Sequence, residues 1–232
     1  MSQSIPISFY ATPPHECSYL PGRMAITVFA DPRAQMDIQI YSTLIQYGYR
    51  RSGSHVYAPH CDGCYSCRAM RLPVEVFHPN RSQRRNYRDN SNLTTHIQPA
   101  GFRQEHYDLY AKYIAHRHIG GGMDNPKPDS YLDFLSADWC DTEFVEFRDG
   151  EKLLLVAVVD QTETGLSAVY TFFDPDYSSL GLGTYAVLWQ IDETRRRQLP
   201  YLYLGYWIEE SPKMAYKALF QPHQIFSGGQ WS

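Results

Sequence analysis

Residues 167–222 gather the side chains best suited to chemistry. Asp174 and Tyr177 follow an aromatic and β-branched run, residues 167–173, and precede Gly181-Leu182-Gly183-Thr184. Two glycines there permit close approach of the backbone to a bound group, and a helix starting near Thr184 would aim its first N–H groups at whatever lies above the strand ends. Such an arrangement suits acyl transfer. Further on, Ser211 and Pro212 signal a helix start, after which Lys213 and Lys217 stand four residues apart on one helical face with Tyr216 beside them. Cys61, Cys64 and Cys67 form a Cys-Xaa-Xaa-Cys-Xaa-Xaa-Cys pattern that can wrap one metal centre, and Cys17 in HECSYL supplies a fourth thiolate from elsewhere in the fold. Thiolates alone do not choose between zinc and iron with sulfide. Cys140, beside Trp139, reads as a semi-buried cysteine.

The elements that must position these groups follow from pattern. Residues 167–173 and 201–207 read as strands joined by a helix in which Val187, Leu188 and Ile191 hold helical spacing, so the two strands should be parallel. A hairpin over 142–147 and 152–160 turns at Asp149-Gly150. Asp31-Pro32 is expected to open a helix with Met36, Ile40, Leu44 and Tyr47 on its inner face and Gly48 at its end. A short hairpin over 49–58, turning at Ser52-Gly53, leads to the cysteines, and 72–77 reads as a strand. From about Arg103 a helix should face Leu109, Tyr110, Tyr113 and Ile114 inward. Pro99-Ala100-Gly101 marks the expected boundary between a cysteine-bearing, basic part, residues 1–98, and a second part, residues 99–232.

The chain has 232 residues, 43% of them hydrophobic, enough for a substantial core, and a net charge of −4. That charge is unevenly spread. Between Arg68 and Arg88 stand six arginines against Glu75 alone, so this stretch carries +5 and the remainder −9. No basic region followed by an apolar run opens the chain and no stretch is long enough to span a bilayer, so a cytoplasmic protein without membrane association is expected.

The words FFDPDYSSLGLGTYAVL, LPYLYLGYWI and SPKMAYK, with HECSYLPGR, HVYAPHCDGCYSCRAMRLPV, RSQRRN and RHIGGGMD upstream, resemble the aminoacyl-tRNA-protein transferase family over nearly the whole chain. The length is similar to that of its short bacterial branch, the aspartate/glutamate leucyltransferases. The resemblance implies a mixed α/β fold with a GNAT-like acyltransferase core and a cysteine-bearing N-terminal subdomain. It implies transfer of leucine from leucyl-tRNA to proteins that begin with Asp or Glu, which marks them for degradation, with arginyl transfer as the nearest alternative. Joining an aminoacyl ester to an α-amine needs positioning, loss of an amine proton and an oxyanion site, but no cofactor.

On that basis Asp174, Tyr177 and Tyr216 are the catalytic candidates, and Gly181, Gly183 and Thr184 hold an oxyanion or the tRNA's terminal phosphate. Arg81, Arg84, Arg85 and Arg88 are expected on tRNA phosphates. The acceptor's carboxylate requires a cation, from Lys213 or Lys217 or alternatively from His116 and Arg117. His118 and Met123 of the HRHIGGGMD loop are placed near the substrate pocket. Cys17, Cys61, Cys64 and Cys67 are candidate ligands of zinc or of the iron–sulfur cluster linked to related transferases. Two other classes fit less of the chain. An acyl-CoA N-acetyltransferase would want a basic pyrophosphate loop where SSLGLGTY has no Arg or Lys, and a non-catalytic RNA-binding protein has no use for the C-terminal words.

Overall fold

The computed structural model describes residues 7–117 and 127–232. The chain opens with β1 (Phe9–Ala11), β2 (His15–Glu16), β3 (Met24–Ala25) and β4 (Thr27–Ala30), then α1 (Ile38–Gln46), β5 (Arg50–Ser52) and β6 (His55–Pro59). These give a small antiparallel sheet of order β1-β4-β6-β5 and a separate β2-β3 ladder. Next come β7 (Arg68–Pro73), α2 (Arg81–Asp89), β8 (Thr94–Pro99), α3 (Gln104–Arg117), α4 (Pro128–Leu135), β9 (Thr142–Asp149), β10 (Lys152–Thr162) and β11 (Gly165–Phe173). The chain ends with α5 (Leu182–Arg196), β12 (Tyr201–Trp207), the short α6 (Pro212–Ala215), β13 (Gln224–Ser227) and β14 (Gln230–Trp231).

A second sheet of eight strands, β14-β13-β7-β12-β11-β10-β9-β8, organises the molecule. Its β10 carries the near-continuous apolar run LLLVAVV because both of its faces are covered. Leu155, Ala157 and Val159 join the core under α5, whereas Leu153, Val156 and Val158 join the one formed with α3 and α4. A third cluster, including Tyr41, Ile45, Val56 and Tyr203, seats α1 and the small sheet. The small sheet is fastened by Arg51, whose guanidinium meets Asp160 of β10, and by the Gly53 N–H, which donates to Phe134 O at 2.8 Å. Among the described residues no helix is long and apolar enough to cross a membrane.

The expected hairpin at Asp149-Gly150, the helix behind residue 103 and the parallel pair β11/β12 around α5 are all present. Two expectations change. The first helix starts at Ile38, capped by Asp37, which accepts from the Ile40 N–H; it buries Tyr41, Ser42 and Ile45, while Tyr47 is 60% exposed. The strand placed at 72–77 is Arg68–Pro73, followed by a 3₁₀ turn at Val74–Val76, because ladder bonds to β12 and β13 start at Arg68 and Met70. The large sheet draws on both sides of the 98/99 junction: β7 sits between β13 and β12, and β8 forms the opposite edge.

Candidate active site

Among the described residues β11 and β12 form the one parallel pair in the sheet, and they stay paired only from Gly165, Leu166 and Ser167 against Tyr201, Leu202 and Tyr203. Beyond that point the strands part, and Ala168, Val169, Tyr170 and Thr171 are half exposed although β11 lies in the middle of the sheet. The carboxyl end of β11 leads through a 3₁₀ turn, Pro175–Leu180, into α5; that of β12 leads through α6 into another, Tyr216–Leu219. Helix α2 bridges the two. Its Gln83 Nε2 donates to Leu219 O at 3.1 Å, and Asn86 and Asn90 each donate from Nδ2 to Leu180 O at 2.9 Å. A capping box between Asn80 and Gln83 fixes the start of this helix.

Gly181 begins α5 with φ 64°, in the left-handed region, and a Cβ there would come within 2.7 Å of Asn86 Nδ2. Both facts require glycine. At Gly183 an added Cβ would meet only Phe173, at an ordinary 3.7 Å, so close packing does not explain that glycine. The Thr184 N–H is already given to Gly181 O and the Gly181 N–H to Ser178 O. The first turn therefore offers the N–H groups of Leu182 and Gly183, and of these two residues Gly183 is the half-exposed one.

Asp174 caps the Pro175–Leu180 turn, accepting from the Asp176 N–H at 3.1 Å. Its carboxylate also accepts from Lys112 Nζ at 2.5 Å and lies 3.6 Å from Lys152 Nζ. Burial opposes its charge, but Lys112, the Asp176 N–H and Lys152 outweigh burial and hold the carboxyl below its usual range. Asp174 is thus a committed anion and a poor proton acceptor. Tyr177 accepts from Lys152 Nζ at 3.0 Å, with the ammonium 4.3 Å from its ring centroid.

Tyr216, 40% exposed, stands near the last turns of α3. Burial raises the phenols of Tyr113, Tyr170 and Tyr216, and in each the Arg117 cation opposes the rise, so the four side chains share one neighbourhood. His116 is exposed on the same turn. His118 and Met123 lie outside the described residues.

The two lysines do not share a face. Lys213 is exposed on α6, whereas Lys217 is 8% exposed and donates from Nζ to Tyr206 O at 2.7 Å. The helix tightens to 3₁₀ at Tyr216, and residues four apart diverge across that change.

The six arginines divide in the same way. Arg81, Arg84, Arg85 and Arg88 are exposed on α2, with Arg84 donating to Pro79 O and Arg88 paired with Asp89. Arg71 is instead buried between Tyr201 and Trp231, 3.6 and 4.4 Å from their ring centroids, and Arg68 lies over Trp207. Against α5, helix α2 leaves a cleft of about 190 Å³ whose walls include Phe77, Arg84, Tyr87, Arg88 and Arg195.

Cys17 and the 61–67 loop come together beside β6 and β12. Burial, then Cys17, Cys61 and Cys64, push the Cys67 thiol up to about 12, so each of those three thiols lies within electrostatic reach of Cys67. The Ser66 hydrogen bonds and then Arg23 lower the Cys64 thiol, and Cys61 Sγ accepts from the Ile26 N–H at 3.4 Å. Among the described residues, however, no three His, Cys, Asp or Glu side chains are set as a ligand group. The donor chemistry suits a soft metal; the spacing of the sulfurs here does not form its cage.

Sequence reasoning missed Lys112, Lys152 and Tyr170. Each acts through a partner distant in the chain, and only the spacing of Tyr113 and Arg117, one helical turn apart, carried a local signal.

Residues 15–85 match the family described as "Arginine-tRNA-protein transferase, N terminus", and residues 105–227 match its C-terminal counterpart, which places the chain among the aminoacyl-tRNA-protein transferases. Aspartate/glutamate leucyltransferase of Nitrosococcus oceani is 51% identical over 225 residues, 97% of this chain and 94% of that protein. Its counterpart in Hahella chejuensis is 48% identical over 231 residues, 100% and 99% of the two chains. The chain belongs to the aspartate/glutamate leucyltransferase family. Among solved structures, the C-terminal domain of a putative lysylphosphatidylglycerol synthetase from Agrobacterium fabrum aligns with a TM-score of 0.48 at 13% identity, covering 67% of this chain and 50% of that one. L-PGS from Bacillus licheniformis gives a TM-score of 0.48 at 10% identity, over 72% and 49%.

Proposed function

We propose that this chain transfers the leucyl group of leucyl-tRNA to the α-amine of proteins beginning with Asp or Glu, in the fork between β11 and β12. Membership of the leucyltransferase family supports the activity. The observation that carries the location is the fork itself: a central strand pair opens beside the amino end of α5, and an arginine-bearing helix spans the carboxyl ends of both strands. Strands that part beside a helix amino end also support reading the core as GNAT-like.

In this reading Arg81, Arg84, Arg85 and Arg88 meet phosphates near the tRNA's 3′ end, which brings the ester to the mouth of the fork. The Gly183 N–H, with the partial positive charge of the α5 amino end, receives the oxygen that becomes negative on attack. Tyr216, Tyr113, Tyr170 and Arg117 line the wall where acceptor and ester meet. The ester is already activated and an α-amine has a pKa of about 7.7–8.0, so a neutral amine is available near pH 7 and no strong base is needed. Asp174 holds Lys112, Lys152 and the turn before α5 in place. Lys217, buried at the root, replaces Lys213 as the acceptor-side cation.

A metal centre at Cys17, Cys61, Cys64 and Cys67 is a separate proposal, supported by the soft thiol donors that two chain segments bring within electrostatic reach of Cys67, and it requires the sulfurs to draw closer than they stand here. A bound metal would cross-link those segments; none of the transfer steps above depends on it. Anaerobic metal and sulfide analysis tests it, and metal-free protein of full stability and activity would remove it.

The transfer reading is tested by offering radiolabelled leucine or arginine on charged tRNA to peptides beginning with Asp, Glu, Lys or Arg. Leucine on Asp and Glu peptides is expected. Transfer only to Lys or Arg peptides would refute it.

A further inference from the structure

Two adjacent arginines of β5 are buried in different ways. Arg51 is enclosed and compensated: Nε and Nη2 each donate at 2.6 Å to one oxygen of Asp160, with neither side chain exposed. Arg50 is nearly as withdrawn from water, at 7% exposure, yet its guanidinium ends at the point where β11 leaves β12. There Nη2 donates to Ala168 O at 2.5 Å and Nη1 to Tyr203 O at 3.3 Å. Both acceptors are neutral carbonyls, and no described carboxylate pairs with it.

Lys217 is the second cation of this place. Among the described residues its Nζ donates only to a carbonyl, Tyr206 O, and burial, followed by the Arg50 charge, pushes its pKa down to about 7. Gly205, with φ 79°, lies at an irregularity in the pairing of β12 with β7, and a Cβ there would come within 3.3 Å of the Arg50 guanidinium. The bare backbone makes room for the arginine. A buried guanidinium beside a buried amine whose charge it disfavours, with no counter-ion among the described residues, is an unfavourable pair until an anion joins it.

We propose that Arg50 and Lys217, at the root of the fork, receive the side-chain carboxylate of the acceptor's N-terminal Asp or Glu, and that Arg50 sets the discrimination against uncharged N-termini. This rests on the leucyl-transfer reading. A planar guanidinium matches a carboxylate's two oxygens, and the half-exposed edge from Ala168 to Thr171 gives an extended N-terminus a path inward. Tyr216 follows β12 into the same corner as Lys217, so an acceptor anchored at the root keeps its amine toward the Tyr216 and Arg117 wall. An Asn or Gln side chain cannot neutralise the pair, and its NH₂ would face donors only.

The test is kcat/KM for leucyl transfer to peptides differing only in Asp or Asn at position one, for the full-length wild type, Lys217→Met and Arg50→Gln, with leucyl-tRNA affinity and near-UV circular dichroism measured in parallel. The Asp-to-Asn ratio should fall by about 30-fold or more in each variant, while tRNA affinity stays within about twofold. A folded variant with an unchanged ratio overturns the assignment. Lys217→Met decides the matter if Arg50→Gln does not fold, because methionine refills the lysine's volume and removes a buried charge. A wild type that leucylates neither peptide refutes the transfer reading, which separates that failure from this one.

Discussion

The hairpin of β10 and β11 ends in two buried aspartates that are neutralised by different means. At one end Asp160 is fully enclosed and takes both arms of Arg51 and the Thr142 hydroxyl, so every partner is fixed by packing. At the other, Asp174 is held by Lys112 and Lys152, whose side chains are 43% and 52% exposed. A guanidinium fork without water nearby joins two sheets permanently. Two solvated ammonium groups leave a rim that can exchange partners, and the fork between β11 and β12 opens at that rim.

Breaking the enclosed end should have the largest effect. Asp160→Asn leaves Arg51 buried without its anion and is expected to cost about 3–5 kcal/mol of stability, read from urea midpoints. Equal midpoints for variant and wild type would mean that Asp160 does not join the sheets. At the rim, Asp174→Asn should lower kcat by on the order of tenfold to a hundredfold through misplacement of the turn before α5, with leucyl-tRNA affinity retained. It should also change the acid limb of stability. The folded carboxyl titrates below its unfolded value, so its contribution is complete above about pH 3.9 and is lost as pH falls through the folded value. Wild type should therefore lose more stability than Asp174→Asn on going from pH 5 to pH 2.5.

Two smaller effects sharpen the contrast between exposed and buried cations. Replacing Arg81 and Arg85 by alanine should make the log–log salt dependence of tRNA binding shallower by about 1.4–1.8, two phosphate contacts' worth, without changing the Asp-to-Asn ratio. Lys217 should report through pH instead. Its folded pKa is about 7 and its unfolded one near 10.5, so the unfolded chain binds the extra proton between those values and stability should rise with pH across that window. Lys217→Met should flatten the rise; a rise that persists would place Lys217 in water.

What the sequence disclosed was local. Strand, glycine turn, helix and parallel strand around Gly181 were readable because each rests on neighbouring residues, and the inward face of α3 because its period is regular over 14 residues. The shared face assigned to Lys213 and Lys217 failed where the helix changes pitch, which no residue type at 216–219 announces. Arg50 was invisible for another reason: its acceptors lie 118 and 153 residues away and are backbone carbonyls, which have no signature in a sequence. The 98/99 division followed composition, yet β7 and β8 enter the large sheet from the basic half, since sheet pairing ignores where charge lies along the chain.

Helix α2 is moored by three uncharged amides, Gln83, Asn86 and Asn90, to carbonyls on both lips of the fork. Neutral moorings are indifferent to ionic strength, while the arginines on the same helix are governed by it. The platform therefore keeps its place when no nucleic acid is bound, and an arriving strand bears no entropy of arranging it. On the proposed reading, in which the α2 arginines meet tRNA, salt then tunes how often tRNA is captured and leaves untouched where its end is delivered.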